Sequence, residues 1–185
     1  EGNILSTSTG LEVKEEDFWA YLERIVIPYS QATGFKFLAN EYMVGALARM
    51  NLSRDKLSKE SRKDLSSQYL SLFPSNNIYH NNLAQAIEIL HCVDHSIQLL
   101  EENDFKPELP PSPLLPKITF EGEGRRRGVG VIEAPRGTLY HHLEINKDSK
   151  VTHANFVIPT AQNQIKMEND IRLLLPRILN KDKHE

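Results

Sequence analysis

Three short apolar runs, at 128–134, 138–145 and 151–158, are separated by Pro-Arg-Gly and by Asn-Lys-Asp-Ser. Short β-rich runs between turn-forming residues predict a small antiparallel β-meander. Upstream, the apolar period lengthens to three and four. Phe18, Leu22, Ile25 and Val26 predict a helix from Glu15 that Pro28 ends or kinks. Residues 29–52, punctuated by Gly34 and Gly45, read as an irregular, partly extended piece. Leu57, Leu65, Leu70 and Leu72 give 55–72 the pattern of a weak amphipathic helix. The longest helix runs from about Asn77 to Glu101, where Ile78, Ala86, Ile87, Leu90, Val93, Ile97 and Leu100 recur without Gly or Pro. Such a helix reaches about 37 Å and is the expected main packing strut of the helical half.

After Phe105 the sequence KPELPPSPLLPK, with five prolines, excludes helix or central strand and predicts an extended connector. Beyond Asn163, Ile165, Met167, Ile171, Leu174, Leu175 and Ile178 predict a closing helix, broken or capped near Pro176. The fold class expected is α+β. Its parts are a flexible N-terminal segment (1–14), a helical region (15–105), the connector (106–117), the meander with its closing helix (118–180), and a charged tail (181–185).

Composition narrows the functional classes. With 185 residues, 39% hydrophobic and 25% charged, the chain suits one soluble domain, and a net charge of −3 gives no reason to expect nucleic acid. The single cysteine excludes a disulfide framework within the chain. No apolar run approaches the roughly 20 residues that span a bilayer, and the polar start has no secretory pattern. A cytoplasmic location is expected.

Arg136, between Pro135 and Gly137, is the first candidate for chemistry. Stiff backbone on one side aims a guanidinium whose planar fork of donors suits an anion. His91 and His95 lie one turn apart on the long helix, but Cys92 stands where a paired-histidine zinc helix carries glutamate, so a packed or exposed helix face is the better reading. His141 and His142 are strand neighbours that point to opposite faces, and one of them could face the Arg136 side. Arg125, Arg126 and Arg127 precede Gly128 and Gly130 without the spacing of a phosphate loop or a dinucleotide fingerprint. Thr160 can donate a hydroxyl beside the start of a helix that Asn163 can cap.

Residues 128–142 (GVGVIEAPRGTLYHH), followed by 159–163 (PTAQN), strongly resemble the large, catalytic subunit of nickel-iron hydrogenases. Residues 43–49 (MVGALAR) look like a second family block, and 86–90 (AIEIL) are similar to a third. The resemblance covers roughly residues 29–175, with 133–137 its most specific part. Gln162-Asn163 is similar to the cytoplasmic multimeric group, which couples hydrogen to NAD(P) or a deazaflavin. The resemblance implies that Arg136 hangs over the bimetallic centre near a cyanide on iron, without binding metal. It implies that Glu133, Ala134, Pro135 and His142 line the same pocket, and that Thr160 donates to the other cyanide. Because an arginine side chain stays charged, an electrostatic role there is easier to defend than base catalysis.

The same family binds nickel and iron, with their CO and cyanide ligands, through four thiolates in two Cys-x-x-Cys motifs. This sequence holds Cys92 alone. Histidines do not replace four soft thiolates, so the chain by itself is expected to hold no such centre and to be inactive. The expectation is an internal portion of a hydrogenase alpha subunit, whose partners are the iron-sulfur small subunit and further electron-transfer subunits. Its uncovered apolar surface would favour self-association. Two alternatives stay open: a metal-free relative of the quinone-site subunit of respiratory complex I, and a non-catalytic assembly domain.

Overall fold

The computed structural model describes residues 4–103 and 126–179. The chain opens with a hairpin of β1 (Ile4–Ser6) and β2 (Glu12–Lys14), where a flexible segment is expected. Thr7 and Gly10 close its turn, and Val13 is buried. A single 3-10 segment (Glu15–Ala20) leads into β3 (Leu22–Val26), paired antiparallel with β4 (Thr33–Phe37).

The helix expected from Glu15 is therefore replaced by a 3-10 segment and a strand. Ile25 and Val26 are β-branched and lose little as strand residues, and Phe35 and Phe37 lie on the partner strand. The apparent helical spacing of Phe18 arises from a long-range contact, because its ring stacks on Tyr140 at 4.4 Å.

The irregular piece contains β4 and then α1 (Ala46–Ser53), which starts directly after Gly45. The weak helix at 55–72 is divided into a 3-10 turn (Arg54–Lys56), α2 (Lys59–Asp64) and α3 (Ser67–Leu70). The long helix is α4 (His80–Glu102). Ala46, Leu47, Met50, Leu57, Phe73, Ala84 and Ile87 form a core between α1 and the first half of α4. Full burial of side chains the size of Leu, Met, Ile or Phe stabilises by about 1.5–3 kcal/mol each. Val93, Ile97 and Leu100 are exposed, so α4 braces the core along its first half only.

The meander is observed as β5 (Arg126–Ala134), β6 (Gly137–Ile145) and β7 (Val151–Val157), in the order β5-β6-β7. Phe18, Phe35, Tyr140, Val157 and Ala161 make a second core between this sheet, the N-terminal hairpins and α5 (Pro159–Leu179). That helix begins at Pro159, earlier than expected, because proline suits a first helical position. It also continues through Pro176 rather than breaking there. The proline-rich connector and the tail lie outside the described residues. Among the described residues no helix is long and apolar enough to cross a membrane.

Candidate functional site

Pro135 and Arg136 form the two-residue loop between β5 and β6, since Ala134 pairs with Gly137. Proline's fixed negative φ excludes the mirror-image turns that such hairpins favour. Gly137 takes up the mismatch at φ 130°. Bare backbone also lets a second chain segment approach. A Cβ on Gly137 would strike the Val44 side chain and come within 2.9 Å of the Gly45 nitrogen. A Cβ on Gly45 would lie 2.9 Å from the Arg136 carbonyl oxygen. The loop before α1 and the Arg136 turn thus meet backbone to backbone.

Polar side chains hold this contact from three directions. Arg49, on α1, donates from Nε to Glu88 Oε1 at 2.7 Å and from Nη2 to Glu88 Oε2 at 2.8 Å. Its Nη1 donates to Glu133 Oε2 at 2.7 Å and to the Ala134 carbonyl at 3.0 Å, and Nη2 reaches the Pro135 carbonyl at 3.0 Å. Bonding to Glu88, and secondarily to Glu133, pushes the Arg49 guanidinium further above its ordinary range against the opposing effect of partial burial.

On the other side, Asn163 grips the Val44 backbone. Its Oδ1 accepts the Val44 N–H at 2.8 Å and its Nδ2 donates to the Val44 carbonyl at 3.0 Å. Gln162, 0% exposed, donates to the Thr138 carbonyl at 2.6 Å and accepts from the Tyr42 hydroxyl at 3.1 Å. Burial raises the Tyr42 hydroxyl well above the ordinary tyrosine range. Asn163 is therefore a clamp within α5 rather than its cap, because the helix starts four residues earlier, at Pro159.

The sequence-predicted residues separate into three places. Glu133, Ala134, Pro135 and Arg136 are together at the turn. Both Glu133 oxygens are engaged, Oε2 by Arg49 and Oε1 by the Thr138 hydroxyl. Arg136 is exposed and makes no hydrogen bond or ion pair to the described residues. Thr160 is exposed in the first turn of α5, the turn that Gln162 ties to the start of β6. His142 is elsewhere. It lies five residues along β6 from Gly137, roughly 17 Å away by strand rise. Its side chain is 12% exposed, its Nε2 has no hydrogen-bond partner, and its ring meets His153 at 5.5 Å. His141 faces outward, its ring edge-on to Phe156 at 4.9 Å.

Arg49 was not among the sequence-predicted residues. Its carboxylate partners are 39 and 84 positions away, so no local pattern shows the cluster. The only signal lay in 43–49 and 86–90, whose family-like composition contains Arg49 and Glu88.

The long-helix histidines serve a different purpose. His91 Nδ1 accepts the Ser58 N–H at 3.0 Å, while Asp94 accepts from the Ser61 and Ser58 hydroxyls. Those bonds, Ser61 first, hold the Asp94 carboxyl below its ordinary range. His91 and Asp94 dock the start of α2 on α4, and Cys92 is exposed. Among the described residues no group of three or more His, Cys, Asp or Glu could hold a metal ion.

No family model matches the chain. It is 31% identical over 181 residues to sulfhydrogenase 1 subunit alpha of Pyrococcus furiosus, covering 98% of this chain and 40% of that protein. It is 35% identical over 158 residues to the NAD-reducing hydrogenase HoxS subunit beta of Cupriavidus necator, covering 83% of this chain and 30% of that protein. The fold matches a NAD+-reducing nickel-iron hydrogenase in the H2-reduced state with a TM-score of 0.61 at 25% identity, over 91% of this chain and 38% of that one. A nickel-iron-selenium hydrogenase from D. vulgaris Hildenborough shares the fold with a TM-score of 0.58 at 19% identity, over 82% of this chain and 37% of that one. The chain thus spans 30–40% of the length of these two sequence relatives. The four thiolates that the family resemblance implies for a nickel-iron centre do not fit this chain, whose one thiol is Cys92, exposed on α4.

Proposed function

We propose that this chain, which belongs to the hydrogenase alpha, or large, subunits over part of their length, forms one wall of the nickel-iron site in the catalytic subunit. The observation that carries this reading is the turn at 135–137. Arg49 bonds the Ala134 and Pro135 carbonyls, Gln162 bonds the Thr138 carbonyl just beyond, and the turn's one cation, Arg136, is left exposed without a partner among the described residues. A rigid turn presenting an unpaired planar fork suits a small anionic acceptor such as a cyanide on iron, because the backbone's share of the ordering cost is met before the acceptor is there. Thr160, exposed in the first turn of α5, is the second donor in this reading. Glu133, Ala134 and Pro135 act through the backbone and through Arg49. The distance of His142 from the turn leaves it a part in packing the sheet. The metal ligands lie outside this chain, and with them every step at the metals.

The activity that follows is reversible oxidation of H2 by the assembled enzyme, in the cytoplasm, with an iron-sulfur small subunit and further electron-transfer subunits as partners. Relatives include a NAD-reducing hydrogenase and F420-non-reducing hydrogenases, which favours NAD(P) over a deazaflavin as acceptor. Arg136→Lys in the assembled enzyme tests the reading. The charge is kept and the fork is lost, so turnover should fall by orders of magnitude while nickel and iron content is unchanged. Unaltered turnover would refute the role of Arg136.

A further inference from the structure

We infer that Arg49 is a positioning residue for Arg136, fixing the backbone from which its side chain starts and keeping it without a counter-ion at the turn; this rests on the wall reading above. All five guanidinium N–H donors of Arg49 are used, on Glu88, Glu133 and the carbonyls of Ala134 and Pro135. The two carbonyls belong to the successive peptide units that lead into Arg136. Bonding both with one planar group fixes both peptide planes, and so fixes the Cα from which the Arg136 side chain starts. The Gly45 and Gly137 backbones fix the turn from the other side. Anchorage comes from α1 and from Glu88 on α4, both part of the better-packed core.

The second effect is electrostatic. Glu133 stands three residues before Arg136 on the same hairpin and is the carboxylate nearest to it along the chain. With one oxygen on Arg49 and the other on Thr138, Glu133 is spent, and Arg136 has no internal counter-ion at the turn. Loss of the Arg49 fork would free Glu133 to pair with Arg136 and draw its charge back from the pocket. Lysine cannot substitute, since one ammonium nitrogen does not span two carboxylates and two carbonyls.

Nitrogen-15 relaxation and arginine Nε–H spectra of the 185-residue chain test this without metal or turnover. In the unaltered chain the Arg136 and Gly137 amides should show order parameters near about 0.85, and Glu133→Gln should leave the Arg136 Nε–H signal in place. In Arg49→Lys those amides should fall below about 0.6, while Ala84 and Ile87 in α4 keep their order. The Arg136 Nε–H signal should shift, and adding Glu133→Gln should reverse that shift. An unmoved turn in Arg49→Lys, or an equal loss of order at Ala84 and Ile87, would overturn the inference, the latter by making Arg49 a general structural residue. Should Arg49→Lys unfold the chain, Glu88→Gln is read by the same signals, and no change at Arg136 there overturns it equally. A fully active Arg136→Lys enzyme would instead remove the wall reading and leave these spectra unaffected.

Discussion

The two long helices each have one end built into the site and one end left bare. The first half of α4 buries Ala84 and Ile87 and sends Glu88 to Arg49, while Leu100 near its other end is 66% exposed. The first turns of α5 bury Ala161 and clamp through Gln162 and Asn163, while Leu179 at its far end is 75% exposed. Both halves of each helix carry apolar residues at helical spacing. What separates them is a partner. Near the turn, apolar burial is accompanied by the bonds of Arg49, Gln162 and Asn163, and far from it nothing among the described residues covers the apolar face.

Disturbing the turn should therefore cost far more than disturbing the bare ends. Gly137→Ala places a methyl group against Val44 at a backbone angle that disfavours side chains, and should destabilise the chain by about 3 kcal/mol in denaturant unfolding. Leu100→Glu should change stability by less than about 0.5 kcal/mol while reducing self-association in sedimentation. Equal costs would erase the distinction between the two regions.

A smaller effect is expected on the side of α4 that docks α2. The Asp94 carboxyl is held low by Ser61 and then Ser58, so its stabilisation is present above the ordinary aspartate range and is lost as pH falls through its lowered value. Ser61→Ala should move the acid unfolding limb to higher pH, and an unmoved limb would show that this contact does not matter.

The meander and α4 were legible because each pattern is local: apolar runs bounded by turn chemistry, and a long apolar period without breakers. The first hairpins were not. Phe18, Leu22 and Ile25 mimic a helical face, and only pairing with Thr33–Phe37 and stacking on Tyr140 decide for strand. At the site, Arg136 and Glu133 were legible from the turn and the family-like block. Arg49 was hidden by sequence distance, and His142, grouped with the turn through the family resemblance, lies well along β6 from it, a separation that the sequence block does not convey.

The direction in which Arg136 points when the subunit carries its metals is decisive for its role. A crystal structure of the assembled enzyme containing this chain, with nickel and iron located by anomalous scattering, measures this directly. The expected result is a guanidinium nitrogen within about 3 Å of a diatomic ligand on the iron, with Arg49 still bound to the Ala134 and Pro135 carbonyls. An Arg136 side chain turned away to solvent, or paired with Glu133 beneath an occupied metal site, would contradict it.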